Sequence, residues 1–275
     1  MTAVDPANVD RLRTIARELR KRVLRMIHAA KSGHPGGSLS AADVVTVLYF
    51  SVMRIDPEDP DWAERDRFIL SKGHACPALY CALAMRGYFG LEHLKHLREI
   101  GGILQGHPDM RKTPGIDYTS GSLGQGLSVG VGMAMAGRLT KREYRVFVLL
   151  GDGELDEGQI WEAAMCASKY RLRNLTAIID YNHLQLDGGT EEIMPLEPLA
   201  AKWNAFGWEV IEIDGHEMLQ ILEALQRETN GPKLIVAQTI KGKGVSYMEN
   251  VCDWHGRAPN DEELTLALTE LGAQV

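Results

Sequence analysis

A glycine-rich turn surrounded by carboxylates is the most distinctive chemical feature of this 275-residue sequence. The stretch RVFVLLGDGELDEGQIWEAA (145–164) passes from an apolar run through Gly151-Asp152-Gly153 into a helix-like pattern. Glycine at a strand-to-helix turn lets backbone N–H groups approach a phosphate. No lysine or arginine lies in this turn, which instead offers the carboxylates of Asp152, Glu154, Asp156 and Glu157. A phosphate bound here therefore requires a metal cation between it and the turn.

A second polar segment can complete such a metal site. The apolar run LTAIID (175–180) predicts the next strand, and Asp180-Tyr181-Asn182-His183-Leu184 ends it. Ligands of a parallel sheet bind at the carboxyl ends of its strands, so Asp152 and Asn182 are expected to converge. With the Leu184 backbone carbonyl they offer three oxygens to Mg²⁺, or to Ca²⁺ or Mn²⁺, and phosphate oxygens and water would complete the shell. The alternative for Gly-Asp-Gly alone is an ordinary turn that ends a strand.

Composition excludes several classes of partner. The chain is 45% hydrophobic and 24% charged, and its 37 acidic against 30 basic residues give a net charge of −7. This charge argues against nucleic acid or an anionic membrane as the main partner. The longest apolar run, VVTVLYFSVM, is too short to span a bilayer, and MTAVDPANVD does not resemble a secretory signal. The cysteines show no CxxC or zinc spacing, which favours reduced thiols and a cytoplasmic location.

The elements that must position these residues follow an alternating pattern. A first helix is expected over about 6–32, capped by Asp5, and a second helix after Ser40, with Asp43 completing a capping-box-like pattern. Strands are predicted at 68–70, 146–150, 175–180, 208–213 and 233–239. Further helices are predicted at about 75–86, 91–99, 122–138 and 157–170, from about 217 and from about 261. This order predicts a single α/β domain over 1–275: a doubly wound, mostly parallel sheet with helices on both faces.

Several motifs carry a family resemblance. GDGELDEG followed by DYNHLQLDG is similar to the thiamine-diphosphate motif. SGHPGGSLSAADVV (32–45), RFILSKGHACPALY (67–80), GHPD (106–109) and TSGSLGQGLSVGVGMAMA (119–136) resemble the amino-terminal, diphosphate-binding part of transketolase. The resemblance extends from about residue 10 to at least TIKGKGVSYMENVCDWHG (239–256). It implies the thiamine-diphosphate-binding fold, thiamine diphosphate and Mg²⁺ as cofactors, and transfer of a two-carbon ketol unit between sugar phosphates.

The resemblance also implies which residues contact the cofactor. Leu123 would pack on its rings and Leu186 would cover the thiazolium face, while Gly121 and Ser122 bring backbone close. Glu157 matches an acidic residue that links two active sites across a dimer, although a carboxylate favoured by a helix dipole is an equal alternative. The complete implied set is His74, Gly121, Ser122, Leu123, Gly151, Asp152, Gly153, Glu157, Asp180, Asn182, Leu186 and His255.

A channel of histidines is the implied catalytic feature. In the resembling family, His74 and His255 would contact the diphosphate and substrate hydroxyls, and His34 and His107 would handle the carbonyl oxygen and hydroxyls of the sugar. Imidazoles can both accept a proton and stabilise an alkoxide near neutral pH, as cleavage of a carbon–carbon bond beside a ketone requires. The remaining histidines are expected to be structural or solvated: His28, His93, His96, His183 and His216.

The motifs are also compatible with other functions. A 1-deoxyxylulose-5-phosphate synthase-like enzyme or a 2-oxo acid dehydrogenase component shares GDG…N, but not the combination of GHPD, GSLGQG and a late W-H-G. A non-catalytic cofactor-binding module is a further alternative, although a scaffold needs no histidine cluster. No segment matches the transketolase domain that binds the pyrimidine ring. The expectation is therefore a chain inactive alone, completed by a separate C-terminal transketolase subunit in an α₂β₂ heterotetramer.

Overall fold

The first helix is long, amphipathic and capped as the sequence predicts. In the computed structural model, which describes residues 5–273, α1 spans Pro6–Ala30. The Asp5 side chain accepts a hydrogen bond from the Ala7 N–H at 3.0 Å, and Lys31 ends the helix in the left-handed conformation. Leu12, Leu19 and Val23 lie on the buried face of α1. This helix therefore packs on the domain through one apolar stripe.

Five parallel strands form one sheet in the order β1-β2-β3-β5-β4. The strands are β1 (Arg67–Leu70), β2 (Val146–Gly151), β3 (Leu175–Tyr181), β4 (Glu209–Asp214) and β5 (Lys233–Gln238). Every residue of β2 and β3 is buried, which is typical of central parallel strands covered on both faces. The predicted strands are confirmed, each within about one residue at either end.

Helices cover both faces of this sheet. They are α2 (Pro35–Ser40), α3 (Ala42–Val47), α4 (Cys76–Arg86), α5 (Gly126–Leu139), α6 (Gly158–Lys169), α7 (Thr190–Ile193), α8 (Leu199–Ala205), α9 (Met218–Gln226) and α10 (Asp261–Glu270). Short 3₁₀ turns lie at Gly73–Ala75, Leu91–His96, Gly153–Asp156 and Cys252–His255, and a π turn at Leu48–Val52. One apolar core joins α1, α3, α4 and α9 to one face, and a second joins α5, α6 and α8 to the other. The predicted doubly wound α/β fold is thus confirmed.

The predicted capping box at Ser40 is wrong. Ser40 is the last residue of α2, and its hydroxyl donates to Asp180 Oδ2 at 2.5 Å. Asp43 lies in α3 and accepts from Arg20 Nη2 at 2.6 Å. Both side chains that suggested a local cap are therefore used in long-range contacts, which a local pattern does not reveal.

Two predicted helices differ in extent. The segment predicted as a helix at about 91–99 is a 3₁₀ turn at Leu91–His96, and α5 begins at Gly126 rather than near residue 122.

Among residues 5–273, no helix has both the length and the apolar character needed to cross a bilayer.

Candidate active site

The candidate site lies where the strand order reverses, at the carboxyl edge of the sheet. β3 lies between β2 and β5, and Gly151 of β2 is in register with Asp180 of β3. Segments that follow β1, β2, β3 and β5, together with α2 and the turn before α5, line a cavity of about 240 Å³. It is lined by Gly37, Lys72, His74, Leu123, Gly151, Asp152, Gly153, Glu154, Asn182, Leu184, Gln185, Leu186, Lys241 and His255. This is the position at which open parallel sheets bind their ligands.

The three predicted metal donors all line this cavity. Asp152 Oδ2 accepts from the His183 N–H at 2.6 Å, and Asp152 Oδ1 accepts from the Gly153 N–H at 2.8 Å. Burial, and then the nearby Asp180 carboxylate, raise the pKa of Asp152 to about 6. Asn182 Oδ1 accepts from the Leu184 N–H at 3.2 Å. Carboxylate, amide and carbonyl oxygens are the donor set that Mg²⁺ and Ca²⁺ prefer, so the residues present fit such an ion.

A metal at this position needs further oxygen donors. Across residues 5–273, no group of three or more His, Cys, Asp or Glu side chains is arranged to hold a metal ion. The one carboxylate, one amide and one carbonyl of Asp152, Asn182 and Leu184 leave an octahedral shell half filled. Oxygens of a bound phosphate group are suited to fill the rest.

Two buried lysines that the sequence motifs did not single out face the same cavity. Lys72 Nζ donates to Asp180 Oδ2 and lies 3.3 Å from the Gly37 carbonyl oxygen. Lys241 Nζ lies 3.1 Å from the Leu184 carbonyl oxygen and 3.0 Å from His255 Nδ1. Burial lowers the pKa of Lys241 to about 8. The positive charge missing from the Gly-Asp-Gly turn is therefore supplied by segments that follow β1 and β5.

Asp180 lies beneath the cavity, outside its lining. Its fully buried carboxylate accepts from Lys72, from Ser40 and from Thr239 Oγ1, the last at 2.5 Å. Burial alone disfavours the charge of Asp180, but Lys72 and the hydrogen bonds hold its pKa below the usual value. Asp180 therefore fixes Lys72, and its predicted direct contact with the cofactor stays a prediction.

The four predicted catalytic histidines form one cluster. The ring centroid of His34 lies 5.4 Å from that of His74, 5.5 Å from His255 and 6.5 Å from His107. The His74 and His255 centroids are 5.1 Å apart. Because the sequence spreads these residues over four loops, their convergence is a property of the fold.

Burial keeps these imidazoles neutral near neutral pH. It is the main cause that lowers the pKa of His34 to about 4 and of His255 to about 3. The pKa values of His74 and His107 are also lowered, again mainly by burial. His34 Nδ1 is buried without a hydrogen-bond partner within the described structure. An unpartnered buried nitrogen is costly, so this atom is suited to contact a bound ligand.

The remaining predicted residues lie around the cavity rather than all within it. A Cβ atom added to Gly121 would lie 3.5 Å from Cγ of His107, so this glycine adjoins the histidine cluster. Ser122 is exposed and does not line the cavity, whereas Leu123 and Leu186 do. Glu157 is exposed at the N-cap of α6, packed against Gly124 and outside the lining.

Glu154 is a buried carboxylate whose role the sequence did not reveal. It accepts from the Gly124 N–H at 2.9 Å, from the Gly151 N–H at 3.1 Å and from the Ser71 hydroxyl. Burial raises its pKa. Glu154 thereby ties the turn before α5 to the Gly-Asp-Gly turn.

Three other histidines have polar partners away from the cluster. His28 Nε2 lies 2.8 Å from Asp261 Oδ1, and His96 Nδ1 lies 2.8 Å from Glu99 Oε2. His183 is exposed, its Nε2 lies 3.0 Å from Gln238 Oε1, and its ring contacts that of Tyr181 at a tilt of 42° with centroids 4.2 Å apart. These contacts agree with the expected structural or solvated character of the three histidines.

Comparisons with known proteins agree with this geometry. Residues 12–275 match the family described as "Transketolase, thiamine diphosphate binding domain". An apulose-4-phosphate transketolase subunit of Phocaeicola vulgatus is 46% identical over 270 residues, covering 97% of this chain and 96% of that protein. The 6-deoxy-6-sulfo-D-fructose transketolase subunit SqwG of Clostridium sp. is 50% identical over 259 residues, with 93% and 94% covered.

A solved structure shows the same architecture. Transketolase from Campylobacter jejuni superposes with a TM-score of 0.92 at 33% identity, over 96% of this chain and 43% of that chain. This chain therefore spans less than half the length of that transketolase. Family match, full-length relatives and fold agree with the site geometry, and the chain belongs to the transketolase family as its thiamine diphosphate-binding domain.

Proposed function

We propose that this chain is the diphosphate- and metal-binding subunit of a two-chain transketolase. The observation that carries the proposal is the cavity in which three oxygen donors meet two buried lysines beside four clustered histidines. A scaffold protein would have no reason to bury Lys241 beside an open cavity with carbonyl oxygens and an imidazole as its partners, because a buried ammonium group without a carboxylate is costly. A bound diphosphate would offset that cost.

Each group has a proposed role in holding the cofactor. Asp152, Asn182 and the Leu184 carbonyl would bind Mg²⁺, and the carbonyl oxygen has a second lone pair beside the one that Lys241 uses. Lys241 and Lys72 would face the diphosphate. Leu123 and Leu186 would contact the rings of thiamine diphosphate. When bound, this cofactor supplies the carbon that attacks the ketose carbonyl.

The histidine cluster would handle protons of the sugar. A neutral imidazole can accept a proton from a hydroxyl and return it to an oxygen, so uncharged His34 and His107 are suited to the carbonyl and hydroxyl groups. His255, in contact with Lys241, and His74 lie on the cavity side of the cluster. We propose that these two reach both the diphosphate and the substrate.

A partner chain would complete the enzyme. Two relatives covered over more than nine-tenths of their length are named as transketolase subunits, which supports a separate C-terminal subunit that binds the pyrimidine ring. We propose that residues 1–275 form one domain and that two copies of each chain assemble as an α₂β₂ heterotetramer. Unpaired cysteines support a reducing, cytoplasmic compartment.

The proposed substrates are a ketose phosphate donor and an aldose phosphate acceptor. The names of the relatives specify apulose 4-phosphate and 6-deoxy-6-sulfo-D-fructose, two ketoses with an anionic group. The donor panel should therefore contain xylulose 5-phosphate and both of these ketoses, with ribose 5-phosphate as acceptor. Pyruvate as donor tests the synthase-like and dehydrogenase-like alternatives.

The test is an assay of the purified chain with and without its partner. We expect ketol transfer only when both chains, Mg²⁺ and thiamine diphosphate are present, and loss of transfer after chelation of the metal. Transfer by this chain alone, at a rate that the partner does not improve, would contradict the two-chain proposal. Failure of the assembled pair to bind thiamine diphosphate would contradict the proposed function itself.

A further inference from the structure

His216 lies outside the cavity, in a partly buried polar network beside it. Its Nδ1 is 2.7 Å from Asp43 Oδ2, and its Nε2 is 2.8 Å from the backbone nitrogen of Ile240. Arg20 donates to both oxygens of Asp43, at 2.9 and 2.6 Å. The network thus joins α1, α3 and the β4–α9 loop to the segment that follows β5.

These contacts determine the protonation of the imidazole ring. The Ile240 N–H can only donate, so His216 Nε2 must be the acceptor and carry no proton. His216 Nδ1 must then carry the proton that it donates to Asp43. This assignment comes from the hydrogen-bond network, and it predicts one neutral tautomer of His216. Arg20 holds Asp43 in place from the other side.

Ile240 lies between two residues that serve the candidate site. Thr239 Oγ1 donates to Asp180 Oδ1 at 2.5 Å. Lys241 Nζ contacts the carbonyl oxygens of Leu184 and Gln185 at 3.1 and 3.2 Å. The His216–Ile240 hydrogen bond therefore fixes the backbone from which both side chains reach their partners.

We propose that His216 is a positioning residue for Lys241: it anchors the Ile240 amide and so holds the lysine against the cofactor cavity. The expected effect on cofactor binding rests on the proposed function. The anchoring of Ile240 rests only on the geometry of its hydrogen bond. Its physical basis is that an N–H in a partly buried position loses stability when its acceptor is removed, so the segment rearranges to find another. A cavity residue displaced by a fraction of an ångström loses its ligand contacts.

The first measurement uses the wild-type chain. The ¹⁵N chemical shifts of the His216 ring should show Nε2 unprotonated and Nδ1 protonated, and the Ile240 amide should be strongly protected from hydrogen exchange. A protonated Nε2 or an unprotected Ile240 amide would overturn the proposal. Neither measurement depends on thiamine diphosphate.

The second measurement compares variants. His216→Leu removes the acceptor, whereas His216→Gln keeps an oxygen that can accept from Ile240. We expect His216→Leu to speed Ile240 exchange and to weaken thiamine diphosphate binding, with Mg²⁺ in the assembled pair, by about tenfold each. His216→Gln should retain most of the wild-type protection of the Ile240 amide and most of the affinity for thiamine diphosphate. The control is His28→Gln, which removes a histidine–aspartate pair between α1 and α10 that does not involve Ile240.

The outcomes separate the two proposals. An affinity loss that His216→Gln does not recover, or equal losses in His216→Leu and His28→Gln, would overturn the positioning role. If His216→Leu fails to fold, the wild-type ring nitrogen shifts and Ile240 exchange decide: an unprotonated Nε2 with a protected Ile240 amide supports the anchor, and either opposite result overturns it. If the wild-type pair binds no thiamine diphosphate, the proposed function fails, while amide exchange still tests the anchor.

Discussion

Asp152 is the residue on which the proposed metal site depends most. It is buried, receives two backbone N–H groups and supplies the only carboxylate among the three proposed ligands. Asp152→Asn keeps the side-chain shape but removes the charge. We expect the Mg²⁺-dependent affinity for thiamine diphosphate to fall by about 100-fold or more, measured by calorimetry on the assembled pair.

The fold should survive this change. Asp152 lies near the Asp180 carboxylate, so removal of one negative charge relieves repulsion in the buried site. This gain is opposed by the loss of one backbone hydrogen bond, because the amide of the variant has one accepting oxygen for the two N–H groups of Gly153 and His183, so the melting temperature should fall by no more than about 5 °C. Asp187→Asn, at an exposed position of the following loop, is the control. Wild-type cofactor affinity in Asp152→Asn would refute the metal assignment.

The site residues differ in how far the sequence could reveal them. Asp152 and Asn182 could be placed together because both directly follow predicted parallel strands. Lys72 and Lys241 escape a search for cations that is confined to the Gly-Asp-Gly turn. Both lysines also follow strands, β1 and β5, so the same rule about carboxyl ends would have found them. The hydrogen bonds of Glu154 depend on loop geometry that no local pattern encodes.

The turn before α5 packs against the start of α6, and glycine substitutions can test how strongly this junction is constrained. Gly124 has a φ of +80°, and a Cβ atom there would lie 2.6 Å from Cβ of Glu157. Gly132, inside α5, has no atom within 4 Å of its added Cβ. We expect Gly124→Ala to lower the free energy of unfolding by about 1–3 kcal/mol, and Gly132→Ala to raise it by about 0.5–1 kcal/mol.

Urea denaturation measures both changes under the same conditions. The two substitutions are chemically identical, so opposite signs report the backbone conformation and the space at each position. A Gly124→Ala variant as stable as the wild type would show that the Gly124 turn does not constrain the junction between the two helices.

Strands were easier to predict than helix boundaries, for a physical reason. Each strand is a short apolar run with polar neighbours, and that pattern survives in any parallel sheet. The boundary between α2 and α3 instead depends on Ser40, whose hydroxyl is bound by Asp180 across 140 residues of sequence. α7 and α8 are short helices in the connection after β3, with too few turns for a periodic pattern.

Acid should lower the free energy of unfolding, because the buried histidines of the cluster bind protons less well in the folded chain. The pKa of His34 is 6.5 in the unfolded chain, and burial lowers it to about 4 in the folded chain. The unfolded chain therefore binds more protons at pH values between these two. The free energy of unfolding therefore falls as pH decreases from about 6.5 to about 4. His34→Gln should show a smaller loss than the wild type between about pH 7 and about pH 5 in denaturant titrations.

His96→Gln is the control for this pH dependence. The His96 side chain is 54% exposed and pairs with Glu99 on the surface. The acid sensitivity of His96→Gln should match that of the wild type. An unchanged acid sensitivity in His34→Gln would mean that His34 is not a source of it.

Assembly can be tested by mass. Light scattering of this chain mixed with its partner should give the molar mass of two copies of each chain. The mass should persist at dilutions where enzyme assays are performed, because a site formed between chains works only in the assembled state. A stable one-to-one complex with full activity would refute the α₂β₂ proposal and leave the two-chain enzyme intact.

The ion pair between Lys72 and Asp180 cannot form during synthesis until both residues have been translated. The two residues are 108 positions apart, which a ribosome translating about 5–20 residues per second takes about 5–20 s to cover. Once β1 has emerged from the ribosome, β2 and β3 are still being made or still lie in the exit tunnel, so the edge of β1 and the cationic segment after it lack their native neighbours for an interval of this length. Nascent chains arrested before β3 should be cleaved by protease near residue 72, and chains arrested well beyond β5 should resist. A chaperone that shields β1 during this interval would raise the yield of folded protein more than one that acts after release.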